Sequence, residues 1–444
     1  MVDSRRIGSR RMIPGYVPSA KERLRAEAVS LFREGVAAAN PAQAVAAALE
    51  QRIDKIERAR RITVLAFGKA AVPMARAALP FVRDKLGQAI AITVRDSVVQ
   101  IPGFVVIGGG HPTPDRPGLA GAVAIERAAT AARPGDLVLV LVSGGGSALL
   151  CAPAPGITLA DKIALNDALV RCGADISEIN AVRPLFSLLK GGGLAQCARR
   201  AEVLALILSD VPGDDLAVIA SGPTAAPAGS AEEALAIVDK YGLLQELPPA
   251  VAWHMRSAVG RPRRSLCVDH VENVLIGSNR LSLQAVMKKA RETYGAVVLG
   301  REWLQGDVAR AAADLHGMAL AGAAGRRPIA IVCGGETTVR VEGAGKGGRN
   351  QELALRFALL NERQPIPRDW VFLSAGTDGR DGPCDAAGAV VDGGSTSWMR
   401  QQGCDPAQHA ADNNSYPALA CSGDLLITGP TGTNVADIQI LLVQ

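Results

Sequence analysis

The chain has 444 residues, 48% apolar but only 3% aromatic, with a formal charge of +5 from 48 basic and 43 acidic side chains. That apolar content excludes a disordered chain, and basic residues scattered in short pairs without aromatic company exclude a nucleic-acid face. No apolar run approaches the ~18 residues of a membrane span. The eight cysteines and five histidines form neither C-x-x-C nor H-x-x-x-H, so zinc and a disulfide framework are both poor readings, and reduced thiols in a cytosolic protein are expected.

Residues 1–18 carry Arg5, Arg6, Arg10 and Arg11 but no apolar segment, which predicts a flexible basic tail rather than a signal peptide. Leu24, Ala28, Leu31 and Phe32 are spaced for a helix over Ala20–Ala38. Asn40 and Pro41 cap and open a second one, expected to run to about Ala59. Short apolar strands then alternate with helical stretches: Ile62–Phe67, Ala89–Val94, Phe104–Ile107, Leu137–Val142 and Val203–Leu208. A loop-rich stretch over Val211–Gly229 follows, and Pro248, Pro249, Pro262 and Arg261–Arg264 read as a boundary zone. The pattern resumes at Asn273–Ile276 with a helix from Asn279. Strands are expected at Val297–Leu299, Ile329–Cys333, Thr337–Val341, Trp370–Ser374, Gly388–Val391 and Leu425–Thr428. This alternation predicts two α/β domains with largely parallel sheets, residues 19–270 and 271–444, the first of them Rossmann-like.

In open α/β sheets, ligands bind beyond the carboxyl ends of the strands. The residues just after each strand are therefore the informative ones. Lys69 follows the first strand at a helix start, where an ammonium opposes the helix dipole unless an anion is bound. The alternative is a solvated turn lysine. Ser143, Gly144, Gly145, Gly146 and Ser147 follow Leu137–Val142 and can turn several N–H groups and two hydroxyls toward a phosphate or carboxylate. Asp210, followed by Asp214 and Asp215, suits Mg²⁺ held by one or two carboxylates, or else an ordinary capped turn. Gly343, Gly345 and Gly348 match G-x-G-x-x-G ahead of a helix and support a dinucleotide-dependent enzyme. An anion loop ending in Lys346 and Arg349 explains the same residues. Asp378 and Asp381 share one further loop, and His111 follows three glycines, where a structural histidine is the plainer account.

Seven stretches taken together carry a family resemblance: VLAFGKA (64–70), GGGHPTPD (108–115), LVSGGGSALL (141–150), SDVPGDD with IASGPT (209–224), GGETTV with GKGGRNQELAL (334–355), AGTDGRDGPCDAAGA (375–389) and GDLLITGPTGTNVAD (423–437). In this order they resemble the glycerate 2-kinases whose C-terminal part is called the MOFRL domain. The resemblance implies ATP-dependent phosphorylation of D-glycerate at the 2-hydroxyl, giving 2-phosphoglycerate and ADP, with Mg²⁺. It also implies a site in the cleft between two α/β domains, with Lys69 and Arg349 in the catalytic positions. Asp210 and Asp214 are then the metal candidates, residues 143–147 the anion loop, and Glu336, Asn350, Asp378, His111 and Asn279 pocket groups. Relatives commonly carry Lys-His where this chain has Pro184-Leu185. The expected partners are glycerate and ATP in the cytoplasm, without nucleic acid or membrane and with a homodimer allowed. The alternative is an NAD(P)H-dependent hydroxypyruvate reductase resting on the Gly343 loop.

Overall fold

The computed structural model describes residues 19–227, 229–260 and 268–444. The expected basic tail and Arg261–Arg264 lie outside the described residues. The chain divides into two compact units, one formed by Pro41–Gly277 and the other by the N-terminal segment to Asn40 together with Ser278–Gln444.

The Pro41–Gly277 unit is built on six parallel strands: β1 (Ile62–Phe67), β2 (Leu86–Val94), β3 (Val105–Gly109), β4 (Leu137–Val142), β5 (Glu202–Leu208) and β6 (Val271–Gly277). Their spatial order is β3-β2-β1-β4-β5-β6. This is the doubly wound order, whose direction of winding reverses between β1 and β4. ITVLAF and LVLVLV are uninterrupted apolar runs because both strands are covered on both faces, and every residue of each is buried. Leu65, Phe67, Ile92, Ile125 and Val140 anchor that core. Pro41–Glu50 and Ile53–Arg58 are two helices where the periodicity predicts one. A second cluster joins the helices Leu159–Arg171, Ala231–Lys240 and Pro249–Ala258 through Leu165, Leu169, Phe186 and Val251.

The other unit carries β7 (Ala296–Asp307), β8 (Ile329–Thr338), β9 (Trp370–Gly376), β10 (Gly388–Asp392), β11 (Leu425–Leu426) and β12 (Asp437–Val443), in the order β11-β10-β9-β12-β8-β7. Among the described residues only β7 and β8 pair in parallel here; β12 runs antiparallel to both β8 and β9, and β10 antiparallel to β9. The expectation of a largely parallel sheet therefore holds for the first unit and not for this one. The reason is connectivity: β9 and β10 are joined by a short loop without the crossover helix that a parallel pair needs. The expected strands at 329–333 and 337–341 are one strand, β8.

The helix Ala20–Ala38 also departs from the expected division. It begins in a capping box between Ser19 and Glu22. Its stripe of Leu24, Ala28, Leu31 and Phe32 packs with Leu283, Val286, Ala330, Leu373 and Ile440 on the second sheet. The Ser282 hydroxyl donates to the Gly35 carbonyl at 2.7 Å. The sequence pattern identifies the stripe but not which sheet it covers. Cys404 and Cys421 form a disulfide, against the expectation of reduced thiols throughout, while Cys151, Cys172, Cys197, Cys333 and Cys384 are free. Among the described residues no helix is long and apolar enough to cross a membrane.

Candidate active site

The loops after β1 and β4 meet at the switch point of the parallel sheet. Lys69 donates its backbone N–H to the Gly144 carbonyl at 2.8 Å, and Ala70 donates to the Ser143 hydroxyl at 3.1 Å. Ser143 in turn donates its N–H to the Phe67 carbonyl, and Gly146 closes a turn onto the Ser143 carbonyl. Ser143 and Gly146 therefore tie the loop to the sheet and are already used. The N–H groups of Gly144 and Gly145 make no hydrogen bond among the described residues and remain as donors. Gly145 has φ of 80°, a conformation that side-chain-bearing residues seldom adopt. A Cβ there would sit 3.1 Å from the His111 ring and 3.3 Å from Lys69 Cγ. One on Gly144 would lie 2.2 Å from Asp210 Oδ2. Lys69, His111, Gly144, Gly145 and Asp210 thus share one small region, as sequence position after the strands predicts.

The charges in this region respond to one another. Burial pushes the Asp210 carboxyl up, against the pull of the Lys69 ammonium. Burial holds the His111 imidazole below its usual value, and Lys69 lowers it further. Asp214 lies in the next tight turn, with φ of 56°. Among the described residues no three His, Cys, Asp or Glu side chains gather as a metal cage. A single buried carboxylate beside an anion loop still fits Mg²⁺, which is usually held by one or two carboxylates plus substrate phosphates.

Beside the loop opens a cavity of about 170 Å³ whose far wall no sequence motif marks. His111, Gly145 and Ser147 form one side of it. Lys162, Asn166, Arg183 and Lys190 line the rest, with Leu165, Leu169 and Phe186 as apolar walls. Ser147 is held by the Ser221 hydroxyl at 3.0 Å, which itself donates to Asn180 Oδ1 at 3.3 Å. The missed signal was periodic. Lys162, Leu165, Asn166 and Leu169 share one face of the helix Leu159–Arg171, so a lysine stands where the pattern calls for an apolar residue.

In the Ser278–Gln444 unit the remaining candidates have other employment. Asn350 accepts from Ser374 at 2.6 Å and donates to Asp381, so both ends of its amide are used. Asp381 is buried and receives the N–H groups of Asn350 and Gln351 at 3.0 and 2.8 Å. Its carboxylate therefore occupies the N-terminus of the helix Arg349–Arg363, where a ligand phosphate would otherwise bind. Burial pushes the Asp381 carboxyl up to about 6 despite these bonds. Asn279 donates to the Val435 and Asp437 carbonyls, both at 2.8 Å, and serves β12 rather than a pocket. Asp378 accepts the N–H of Arg380 in a local turn.

The Gly343 loop is filled from within. Glu342 and Gly343 donate to Asn413 Oδ1, Ala344 to Asp412 Oδ1 and Lys346 to Asn414 Oδ1. A Cβ on Gly343 or Gly345 would meet the Asp412 carbonyl at 2.4 Å, and one on Gly348 would meet Asp381 at 2.3 Å. These glycines let chain pack on chain, not on a pyrophosphate. Arg349, just beyond them, grips the buried Asp437 through Nε at 2.6 Å and Nη2 at 2.9 Å and reaches the exposed Glu336 through Nη1 at 2.8 Å. Three of its five N–H donors are engaged and two remain. Its guanidinium is held strongly protonated; burial opposes this, but Asp437 and Glu336 outweigh it.

Residues 27–256 match a family model described as a domain of unknown function, DUF4147, and residues 329–437 match the MOFRL family. The chain is 38% identical to a glycerate 2-kinase of Pyrococcus horikoshii, over 93% of this chain and 96% of that one. It is 36% identical to a D-glycerate 2-kinase of Thermotoga maritima, over 95% and 99%, and 41% identical to human glycerate kinase, over 74% and 72%. A crystal structure of the Thermotoga maritima glycerate kinase superposes with a TM-score of 0.86 at 36% identity, covering 95% of this chain and all of that one.

Proposed function

Because the chain belongs to the glycerate kinase family, we propose that it transfers the γ-phosphoryl group of ATP to the 2-hydroxyl of D-glycerate, releasing ADP and 2-phosphoglycerate. The observation that carries this reading is the switch point. There an ammonium, two unengaged backbone N–H groups and a buried carboxylate converge, in a chain aligned nearly end to end with glycerate 2-kinases.

Phosphoryl transfer asks a protein for in-line positioning and for charge on the moving group more than for covalent chemistry. Gly144 and Gly145 would donate to the phosphate oxygens, with Lys69 supplying charge beside them. Arg349 would offer its two remaining N–H groups to the transferred group, its orientation fixed by Asp437. Mg²⁺, when bound, supplies further neutralisation of the phosphates, and Asp210 is the residue that would hold it. His111, kept neutral near pH 7 by its lowered pKa, can accept a proton or a hydrogen bond on one ring nitrogen. We place the enzyme in the cytoplasm, where ATP is available.

The reductase alternative loses its support, because the glycine fingerprint it rested on is packed against residues 412–415 and Asp381. The decisive assay supplies purified protein with D-glycerate, ATP and Mg²⁺, follows ADP, and identifies the product as the 2-phosphate by phosphorus NMR. Absence of glycerate-dependent ADP release would overturn the reading. NADH consumption with hydroxypyruvate would restore the rival.

A further inference from the structure

The cavity beside the β4 loop carries more positive charge than its surroundings balance. Lys162, Arg183 and Lys190 all line it, and among the described residues no aspartate or glutamate does. Lys162 is a half-buried residue whose Nζ atom is itself buried without a hydrogen-bond partner. Lys190 is also buried, with only 6% of the residue exposed. Arg183 donates through Nε to Asn166 Oδ1 at 3.1 Å and through Nη2 to the same oxygen, a neutral acceptor that leaves its charge uncompensated. Buried cations are ordinarily paired, and an orphaned one is costly. One buried ammonium without a partner, a second lysine that is buried and a half-buried arginine around one small cavity describe a site suited to an anion.

The size and walls select among anions. About 170 Å³ is below the ~300–1,000 Å³ of pockets for drug-sized ligands, which suits a small acid better than a nucleotide. Phe186, Leu165 and Leu169 give apolar walls for a short carbon chain, while Ser147 and Asn166 add hydrogen-bonding groups. One side of the cavity is formed by His111, after β3, and by Gly145 of the anion loop. A carboxylate at the lysine pole would therefore direct the adjacent hydroxyl carbon toward that loop.

Building on the glycerate kinase reading, we propose that this cavity is the subsite for the acceptor's carboxylate, with Lys162, Lys190 and Arg183 as the residues that select small 2-hydroxy acids over uncharged polyols. Reaction at the 2-hydroxyl then follows from anchoring the neighbouring carbon. The charges that face Lys190 support this: Lys162 and Arg183 are like charges, the Cys151 thiol is the one group of opposite tendency, and burial holds the ammonium well below its usual value. A bound carboxylate favours the charged lysine.

The test is steady-state kinetics with the full chain, varying D-glycerate and ATP separately, together with calorimetric titration of D-glycerate and of glycerol. Lys162→Met and Lys190→Met are expected to raise the glycerate KM by ~10²-fold each, with the KM for ATP changed by less than about threefold. The melting temperature should be unchanged or higher, because a buried charge has been removed. Lys162→Arg is expected to recover part of the affinity. Wild-type protein should bind glycerate and should not bind glycerol. If wild type turns over glycerate while both methionine variants keep its KM, the subsite is wrong and the kinase stands. A rise confined to the KM for ATP would likewise overturn the subsite and leave the kinase standing. If wild type neither binds nor phosphorylates glycerate, both readings fall together, and wild-type turnover alone distinguishes that case.

Discussion

Arg349 is expected to be far less replaceable than the aspartate that holds it. Its Nε and Nη2 both bond Asp437, whose side chain is only 1% exposed, while 34% of the Arg349 side chain faces solvent. Breaking a buried pair by removing one partner costs ~3–5 kcal/mol because the other charge is stranded. Arg349→Met strands Asp437 with the buried Asp381 carboxylate as a like-charged neighbour, but through a pair that is one-third open to water. The lower end, ~2–3 kcal/mol, is therefore expected. Asp437→Asn strands a guanidinium that still has water and Glu336, at ~1 kcal/mol. The double variant should cost less than the sum, because the stranded carboxylate is then gone. Turnover should follow the charge rather than the clasp: kcat falls ~10³-fold in Arg349→Met, and only ~10-fold in Asp437→Asn, where the arginine is present but less well oriented. Hydrogen exchange of β8 and β12 amides reads the stability of this unit separately from the other, and single-turnover kinetics reads the chemistry. Equal losses in both variants, or normal turnover in a folded Arg349→Met protein, would refute the assignment of Arg349 to the transferred charge.

Lys69→Ala should lower kcat by ~10²-fold or more, with the glycerate KM changed by only a few-fold; near-normal turnover in a folded variant would remove it from the mechanism. Gly145→Ala should strain the loop at φ of 80° and crowd His111, impairing turnover while leaving the circular dichroism spectrum unchanged. Asp381 gives a pH signature. Its folded pKa of about 6 lies above the ordinary carboxyl value of 3.8, so the folded chain holds an extra proton between those values. Stability should fall as pH rises from ~4 to ~6, by up to ~3 kcal/mol at ~1.36 kcal/mol per pH unit. Asp381→Asn should flatten that slope whatever it does to absolute stability, and an unchanged slope in urea unfolding curves would assign the effect elsewhere.

The parallel sheet was largely readable in the sequence because its central strands are covered on both faces. Continuous runs such as LVLVLV leave little else for the chain to be, and the polar loops following them mark the ligand edge. The second sheet was harder to read. β12 is one of its two central strands, yet no strand was expected over residues 437–443, and its antiparallel insertion between β8 and β9 depends on partners far away in sequence. The first helix illustrates the same limit, since its apolar stripe fixes a face and not the sheet beneath it. Asn279, Asn350 and Asp378 were expected in a pocket because polar residues after strands often line one. Asn279 and Asn350 are bonded to residues far away in sequence and Asp378 within its own turn, contacts that no spacing encodes.

The glycine fingerprint and the cavity lysines went astray for opposite reasons. G-x-G-x-x-G records only that backbone must come close to something, and here that something is the protein itself, through Asp412, Asn413, Asn414 and Asp381. The N–H groups of Gly343, Ala344, Gly345 and Lys346 are spent on oxygens of residues 412–414, so this part of the motif is closed by the chain itself. In the Ser143–Ser147 loop Gly144 and Gly145 keep their N–H groups while their neighbours hold the turn. Lys162 and Lys190 lie in no motif at all. What distinguishes them is charge placed where burial should forbid it, on an apolar helix face and ahead of three glycines. A lysine in such a position has a steep cost in the absence of a ligand, and that cost is a stronger indication of binding than any glycine pattern in this chain.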